Sequence, residues 1–185
     1  MMDDILKDTE RKMEKSVEAF KKELSTLRAG RAVPSLLDKV HVDYYNTPTP
    51  LNQLATISAP EPRLLVIQPW DKNILAEVER AILKSDLGLT PNNDGTVIRL
   101  SIPQLTEERR RELVKFVRKK AEEGRVAIRN IRREANDLLK NEEKQGKISE
   151  DDRRLFQEEV QETTNKKIEE LDNLLAVKEK EIMEV

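Results

Sequence analysis

Apolar residues recur at helical spacing in three long stretches of the chain, at about residues 3–29, 106–145 and from 149 onward. Within each stretch they lie three or four positions apart, which places them on one side of an α-helix. Gly30 and Gly146 follow the first two stretches, in the position where a glycine commonly ends a helix. Narrow apolar stripes of this kind bury one another best in an elongated antiparallel three-helix bundle. The pattern predicts such a bundle.

Each predicted helix has its own apolar stripe. Thr106 and Ser149 are both followed by acidic residues, a combination typical of a helix N-terminus. The stripe of the first helix comprises Leu6, Met13, Val17, Phe20, Leu24 and Leu27. The stripe of the second comprises Val117, Ala121, Gly124, Ile128, Ile131, Ala135 and Leu138. The stripe of the third comprises Phe156, Val160, Thr164, Ile168, Leu171, Leu175 and Ile182.

Residues 30–105 follow a different pattern and predict a second domain. The segment contains short β-type runs at residues 40–45, 64–67 and 97–102, with turn signals at residues 46–48 and 93–95. Helical spacing at residues 74–85 predicts one helix. Its expected buried side consists of Leu75, Val78, Ala81 and Ile82. We expect a small α/β domain here, so that the fold class of the chain is α+β.

The two predicted domains are connected twice, because the first long helix precedes the α/β segment and the other two follow it. Residues 1–29 and 106–185 are therefore predicted to form a discontinuous bundle, with residues 30–105 as an inserted domain. Both connections are short stretches of chain, which favours a hinge. The predicted hinge consists of Gly30, Pro103, Gln104 and Leu105.

A row of arginines accompanies the apolar stripe of the second long helix. At about 100° per residue, five arginines fall within an arc of roughly 40–60°: Arg111, Arg118, Arg125, Arg129 and Arg132. Residues 109–133 contain 11 Lys or Arg and 3 Asp or Glu, a net of +8 in a chain whose net charge is −2. Such local basicity indicates one surface that binds a polyanion. The alternative is a solvated helix face held by ion pairs, but the excess of arginine over lysine favours phosphate.

The composition argues against several classes of protein. The chain has no cysteine and a single histidine, His41, which leaves no disulfide, no thiol catalysis and no His/Cys zinc site. His41 falls in a strand pattern, where a structural role is expected. Six aromatic residues are too few for a base-stacking surface, and Trp70 is expected to pack at a strand end. We therefore predict no catalytic residue, no metal and no cofactor, and the chain is not expected to be an enzyme.

The pattern of hydropathy also bears on location. No apolar run is long enough to span a membrane, and the N-terminal residues show neither a secretory nor a transit pattern. We expect a soluble, cytoplasmic protein that does not contact a membrane.

Four motifs resemble those of the bacterial ribosome recycling factor family. They are LRAGRAVPSLLD at residues 27–38, DYYNTPTPLNQLA at 43–55, SDLGLTP at 85–91 and IRNIRREAND at 128–137. The motifs occur in the order and at the spacing of that family, and the resemblance covers essentially the whole chain. It implies an L-shaped protein, a three-helix bundle with a hinged α/β domain.

The resemblance also implies a function. Members of that family bind the 70S ribosome after termination, against large-subunit rRNA, and act with elongation factor G and GTP. The complex is split into subunits, and mRNA and deacylated tRNA are released. We therefore expect these partners for this chain, which would act as a monomer.

Arginine positions carry over from the family to this sequence. The rRNA-contacting arginines of the family correspond to Arg129 and Arg132, with Arg28 and Arg31 at the end of the first helix. The rest of the basic stretch adds further candidates for rRNA binding: Arg118, Arg125 and Arg133.

Two other classes of function compete with this interpretation. A structural coiled-coil protein would carry the basic face incidentally and would tolerate Arg132→Glu. A stand-alone nucleic-acid binder would bind naked RNA as well as it binds ribosomes.

Overall fold

The computed structural model describes residues 2–27 and 30–184 of the chain. These residues form two compact units. Unit 1 contains the described residues of Met1–Arg28 together with Glu107–Glu184, and unit 2 contains those of Ala29–Thr106. The predicted fold class, a long helical bundle with a small α/β part, is confirmed.

Unit 1 consists of three helices: α1 (Met2–Ser25), α3 (Glu107–Lys144) and α4 (Glu150–Glu184). They pack against one another. At 1.5 Å per residue, the 38 residues of α3 extend over about 57 Å. The predicted bounds of α3 and α4 agree with the structure to within a residue or two at their N-termini. The prediction that α1 continues to residue 29 is wrong, because the helix ends at Ser25.

Side chains at the helix ends explain where these helices begin and end. The Ser25 and Thr26 hydroxyls donate to the carbonyls of Lys22 and Glu23, which competes with the backbone bonds that would extend α1. At the start of α4, the Asp152 N–H donates to Ser149 Oγ at 3.0 Å, and the Ser149 N–H donates to Asp152 Oδ2 at 3.4 Å. This reciprocal pair is a capping box with aspartate in the acidic position.

The end of α3 is a Schellman motif. Gly146 has φ +73°, its N–H donates to the Glu143 carbonyl, and the N–H of Lys147 donates to the Glu142 carbonyl. A residue with a side chain would be strained in this conformation. The predicted helix stop at Gly146 is confirmed.

The core of unit 1 includes most residues of the predicted stripes together with the unpredicted Thr9 and Leu113, and two further exceptions stand out. Leu138, which was predicted to be buried, is 49% exposed, and its neighbour Leu139 is buried instead. The apolar side of α3 continues in steps of three, four or seven residues through Ile128 and Ala135, which places position 139 inward. The second exception is Lys167 on α4, a charged residue that is buried and pairs with Glu14 of α1. The hydrogen bond from Lys167 is the main cause of a lowered pKa of Glu14.

Unit 2 contains six antiparallel strands in two sheets and one α-helix. The strands are β1 (His41–Tyr44), β2 (Thr47–Pro50), β3 (Ala55–Glu61), β4 (Leu64–Pro69), β5 (Pro91–Asn93) and β6 (Ile98–Ser101). Strands β1 and β2 pair with each other, and the other four form a sheet in the order β3-β4-β6-β5. Helix α2 (Leu75–Lys84) buries Leu75, Val78 and Ile82 in the same core as the larger sheet.

Turns and strands in unit 2 differ from the sequence prediction in detail. The β1–β2 hairpin turns at Tyr45 and Asn46, which both have positive φ, as a two-residue type I′ turn requires. Thr47 and Pro48, expected in the turn, belong to β2. Proline has no backbone N–H to donate, and it is tolerated in β2 because both strands of a two-stranded sheet are edge strands.

The prediction that Trp70 packs at a strand end is wrong. This side chain is 66% exposed, and its Nε1 donates to Thr56 Oγ1 at 2.9 Å.

Candidate nucleic-acid interface

The arginines of α3 include two that are bound to acidic residues of α4. Arg118 Nε lies 2.6 Å from Glu179 Oε1, and Arg125 Nη2 lies 2.7 Å from Asp172 Oδ1. Arg125 follows Arg118 by seven residues on α3, and Asp172 precedes Glu179 by seven residues on α4, as expected for antiparallel helices. We call these two pairs the cross-helix ladder.

Both guanidinium groups of the ladder are held in their charged form. The hydrogen bond to Glu179 raises the pKa of Arg118. Partial burial lowers the pKa of Arg125, but its bonds to Asp172 and Glu122 outweigh the burial, and the net shift is upward. The Arg125 side chain is only 21% exposed. These arginines therefore contribute to the packing of α3 on α4.

The ladder does not continue to the next arginine. Seven residues after Arg125 comes Arg132, and seven residues before Asp172 comes Asn165, so these two positions face each other in the same register. Asn165 is neutral and accepts a hydrogen bond from Gln161 Nε2 at 2.8 Å. Arg132 Nη1 reaches only Gln161 Oε1, at 3.5 Å. A long contact of this kind is weak. The guanidinium of Arg132 therefore has no carboxylate partner on α4.

Two neighbouring arginines are similarly weakly held. Arg129 Nη1 lies 3.5 Å from Glu122 Oε1, a carboxylate already bound to Arg125, and the Arg129 side chain is 40% exposed. Arg133 donates to the neutral side chain of Asn130 at 3.3 Å. We call Arg129, Arg132 and Arg133 the arginine cluster. Its planar, multiply donating groups match the geometry of phosphate oxygens.

A glycine next to Arg125 of the ladder lies where α3 and α4 approach each other closely. A Cβ atom at Gly124 would lie 2.6 Å from Cδ1 of Leu171. Leu171 is fully buried, so the side chain has little room to move. The absence of a side chain at Gly124 therefore sets the helix spacing at which Arg125 reaches Asp172.

The other predicted site residues lie elsewhere in the structure. Arg31 is half-buried and belongs to unit 2, whereas Arg28 lies outside the described residues. Of the predicted hinge, Gly30 has φ +73°, and a Cβ there would lie 3.0 Å from Cγ of Leu105. Gln104 accepts a long hydrogen bond from Arg63, at 3.5 Å. Pro103, Gln104 and Leu105 belong to no helix or strand.

Sequence reasoning missed the acidic partners of the arginines. Asp172 and Glu179 are seven residues apart, the same spacing as Arg118 and Arg125. This matched spacing is the feature of the sequence that could have indicated ion pairs between the two helices. The facing register of two helices was needed to use it.

The residues that the structure describes show no metal centre and no membrane-spanning helix. No group of three or more His, Cys, Asp or Glu side chains there could hold a metal ion. Within residues 2–27 and 30–184, no helix is long and apolar enough to cross a membrane. His41 is exposed, and its Nδ1 lies 3.1 Å from the Lys39 carbonyl oxygen.

Comparisons with known proteins agree on one family. The family model described as "Ribosome recycling factor" matches residues 20–183. The ribosome-recycling factors of Moorella thermoacetica and Syntrophomonas wolfei are 66% and 62% identical to this chain over 185 residues, with 100% of each chain covered.

Solved structures give the same result. A solution structure of the ribosome recycling factor has a TM-score of 0.75 at 45% identity, covering 100% of this chain and 98% of that one. A second neighbour has a TM-score of 0.64 at 49% identity and covers 99% of both chains. It comes from models of the T. thermophilus ribosome recycling factor and E. coli elongation factor G bound to the E. coli post-termination complex. This chain, with its helical bundle, its small sheet domain and its basic helix, belongs to the ribosome recycling factor family.

Proposed function

We propose that this protein binds the post-termination 70S ribosome and, with elongation factor G and GTP, splits it into subunits, releasing mRNA and deacylated tRNA. Membership of the family supports the role in recycling. The solved relative bound to a post-termination complex together with elongation factor G supports the choice of partners. The protein acts in the cytoplasm as a monomer, and it supplies binding and leverage while the GTPase supplies the energy.

The proposed contact with large-subunit rRNA is made by the arginine cluster. One observation carries this assignment: among the described residues, Arg129, Arg132 and Arg133 have no strong carboxylate partner, whereas Arg118 and Arg125 are neutralised by α4. An arginine that is paired with a carboxylate has its charge offset and some of its donors occupied, which costs affinity for a phosphate. The cluster can bind without this cost. Arg28 and Arg31 remain candidates for additional contacts, by resemblance to the family.

The proposed mechanism requires one stiff part and one movable part. The bundle of residues 1–29 and 106–185 is stiffened by the cross-helix ladder and by the close contact at Gly124, so it can transmit force. The inserted domain of residues 30–105 moves about the hinge formed by Gly30, Pro103, Gln104 and Leu105. Gly30, with its positive φ, supplies a backbone conformation that other residues rarely adopt.

Light scattering of post-termination ribosomes tests the function. Ribosomes are mixed with this protein, elongation factor G and GTP, each omitted in turn, and an initiation factor prevents reassociation. We expect a decrease in scattering only in the complete mixture. A decrease without this protein, or no decrease although the protein binds, would contradict the proposed role in splitting.

A matched pair of variants tests the interface. Arg132→Gln and Arg118→Gln make the same chemical change on the same helix. We expect Arg132→Gln to weaken ribosome binding about tenfold and to reduce the salt dependence by about one phosphate contact. Arg118→Gln should leave binding unchanged and have only a small effect on the free energy of unfolding, as expected for an exposed ion pair. Equal ribosome affinities of the two folded variants would refute the assignment.

A further inference from the structure

Unit 1 contains an apolar groove that the proposed rRNA contact does not use. The groove lies between α1 and α3 and has a volume of about 540 Å³. Its apolar floor includes Ile5, Ile131, Ala135 and Leu138. Leu138 is 49% exposed, although its neighbours Ala135 and Leu139 on α3 are buried. A single exposed leucine is ordinary, but Leu138 lies with Ile5 and Ile131 in one concave surface and so belongs to a contiguous apolar patch.

The rim of the groove is acidic. Asp8, Glu134 and Glu142 line it, with Lys12 as the one basic residue among the side chains that line it. Asp8 is already bound to Arg11 and Lys12, at 2.6 and 3.3 Å. The carboxylates of Glu134 and Glu142 have fewer polar partners than that of Asp8. Among the described residues Glu134 forms no ion pair, and the buried Oε2 of Glu142 accepts no hydrogen bond and lies 3.8 Å from Lys147 Nζ.

The groove and the arginine cluster lie on opposite sides of the same stretch of α3. At about 100° per residue, positions 131, 134, 135, 138 and 142 are centred roughly 160° from positions 129, 132 and 133 around the helix. A ligand in the groove would therefore not compete with a polyanion on the cluster. The acidic rim also repels nucleic acid and anionic lipid.

We propose that this groove binds a basic protein segment that carries an aliphatic side chain, presented by the ribosome on the side of the bundle away from the rRNA contact. The aliphatic side chain packs against Leu138 and Ile131, and Lys or Arg side chains pair with Glu134 and Glu142. This inference rests on the proposed function, because the ribosome is the source of the segment. The bundle is then held from two sides by surfaces of opposite charge.

Binding of a defined peptide tests the chemistry of the groove without ribosomes. The probe is a synthetic helical peptide with leucines on one face and lysines on the other, titrated against the full chain by calorimetry. We expect Leu138→Lys to weaken binding at least tenfold, whereas Leu155→Lys, at a position 53% exposed on α4, leaves it unchanged. Equal loss in both variants, or no binding by the unmodified chain, overturns the proposed chemistry. Circular dichroism verifies that both variants are folded.

Binding to purified 70S ribosomes tests the source of the segment. Glu134→Lys should weaken ribosome binding about tenfold, whereas Glu158→Lys, the same change on the exposed surface of α4, should not. A photoreactive amino acid at position 138 should cross-link to a Lys- or Arg-rich segment of a ribosomal protein. Cross-linking to rRNA, or normal affinity of the Glu134→Lys variant, overturns the inference. Failure of the unmodified protein to bind ribosomes would instead contradict the proposed function.

Discussion

Gly124 provides a quantitative test of how tightly α3 and α4 pack. Replacing a glycine within a helix by alanine usually stabilises the folded state by about 1 kcal/mol, because alanine loses less backbone entropy. Here the new Cβ would lie 2.6 Å from Cδ1 of the fully buried Leu171. Overpacking of a core costs about 1–3 kcal/mol. The two effects have opposite signs, so we expect Gly124→Ala to lower the free energy of unfolding by about 0–2 kcal/mol.

A second substitution separates the two effects. Leu171→Val removes the Cδ atoms, and the Leu171 Cγ lies 3.9 Å from the Cβ built at Gly124, an ordinary contact distance. In this background the clash is gone, and Gly124→Ala should stabilise by about 1 kcal/mol. The coupling between the two sites is therefore expected to be about 1–3 kcal/mol, within the range of residues in contact.

Urea unfolding followed by far-UV circular dichroism measures this cycle, because the three long helices dominate the signal. All four proteins of the cycle are compared at one temperature and pH. A stabilisation of about 1 kcal/mol by Gly124→Ala in both backgrounds would refute the reasoning. It would mean that Leu171 does not limit how closely α3 approaches α4.

Two further predictions concern unit 2. Hydrogen bonds from the Val97 N–H, Arg99 and the Thr96 N–H lower the pKa of Asp94 from 3.8 to about 2, so the stability that this carboxylate contributes is present above about pH 4 and is lost as the pH falls towards 2. Asp94→Asn should therefore lower the free energy of unfolding at neutral pH, whereas near pH 2 the variant and the unmodified chain should be more nearly equal in stability. Trp70 fluorescence follows the unfolding. A stability difference between the two proteins that does not change with pH would contradict the assignment. Gly30→Pro replaces φ +73° by a negative φ, and it should leave ribosome binding intact but slow subunit splitting. Gly88→Pro, the same change at another glycine of positive φ, should not slow splitting. Equal splitting rates of the two variants would argue against a hinge at Gly30.

The long helices were predictable because their signals are local. Apolar spacing, the capping residues at Ser149 and the glycine at 146 all act within a few residues, and each predicted the observed element. The difference between Leu138 and Leu139 was harder to predict. Both are apolar, and the partner helices determine which of them points inward.

The strands were less predictable for a physical reason. Strands β2, β3 and β5 all contain proline and few apolar residues, so they have little of the alternation that identifies a half-buried strand. Their strand conformation comes from hydrogen bonding to the adjacent strands β1, β4 and β6, and the side-chain pattern does not show it. Likewise, periodicity on α3 located the arginine row, but only the facing positions on α4 distinguish Arg118, which is paired, from Arg132, which is not.

The topology of the chain has a consequence for the order of folding. The apolar stripe of α1 packs against helices that are synthesised only after unit 2, so α1 is made before its partners, which follow about 80 residues further along the chain. Closing a flexible loop of that length costs about 4 kcal/mol of chain entropy. Within unit 2, however, Gly30 lies against Leu105, so the two ends of this unit meet once it has folded. Unit 2 can fold first as a continuous segment, and it then closes that loop before α1 and α3 associate. The inserted domain would thus speed the assembly of the bundle that it interrupts.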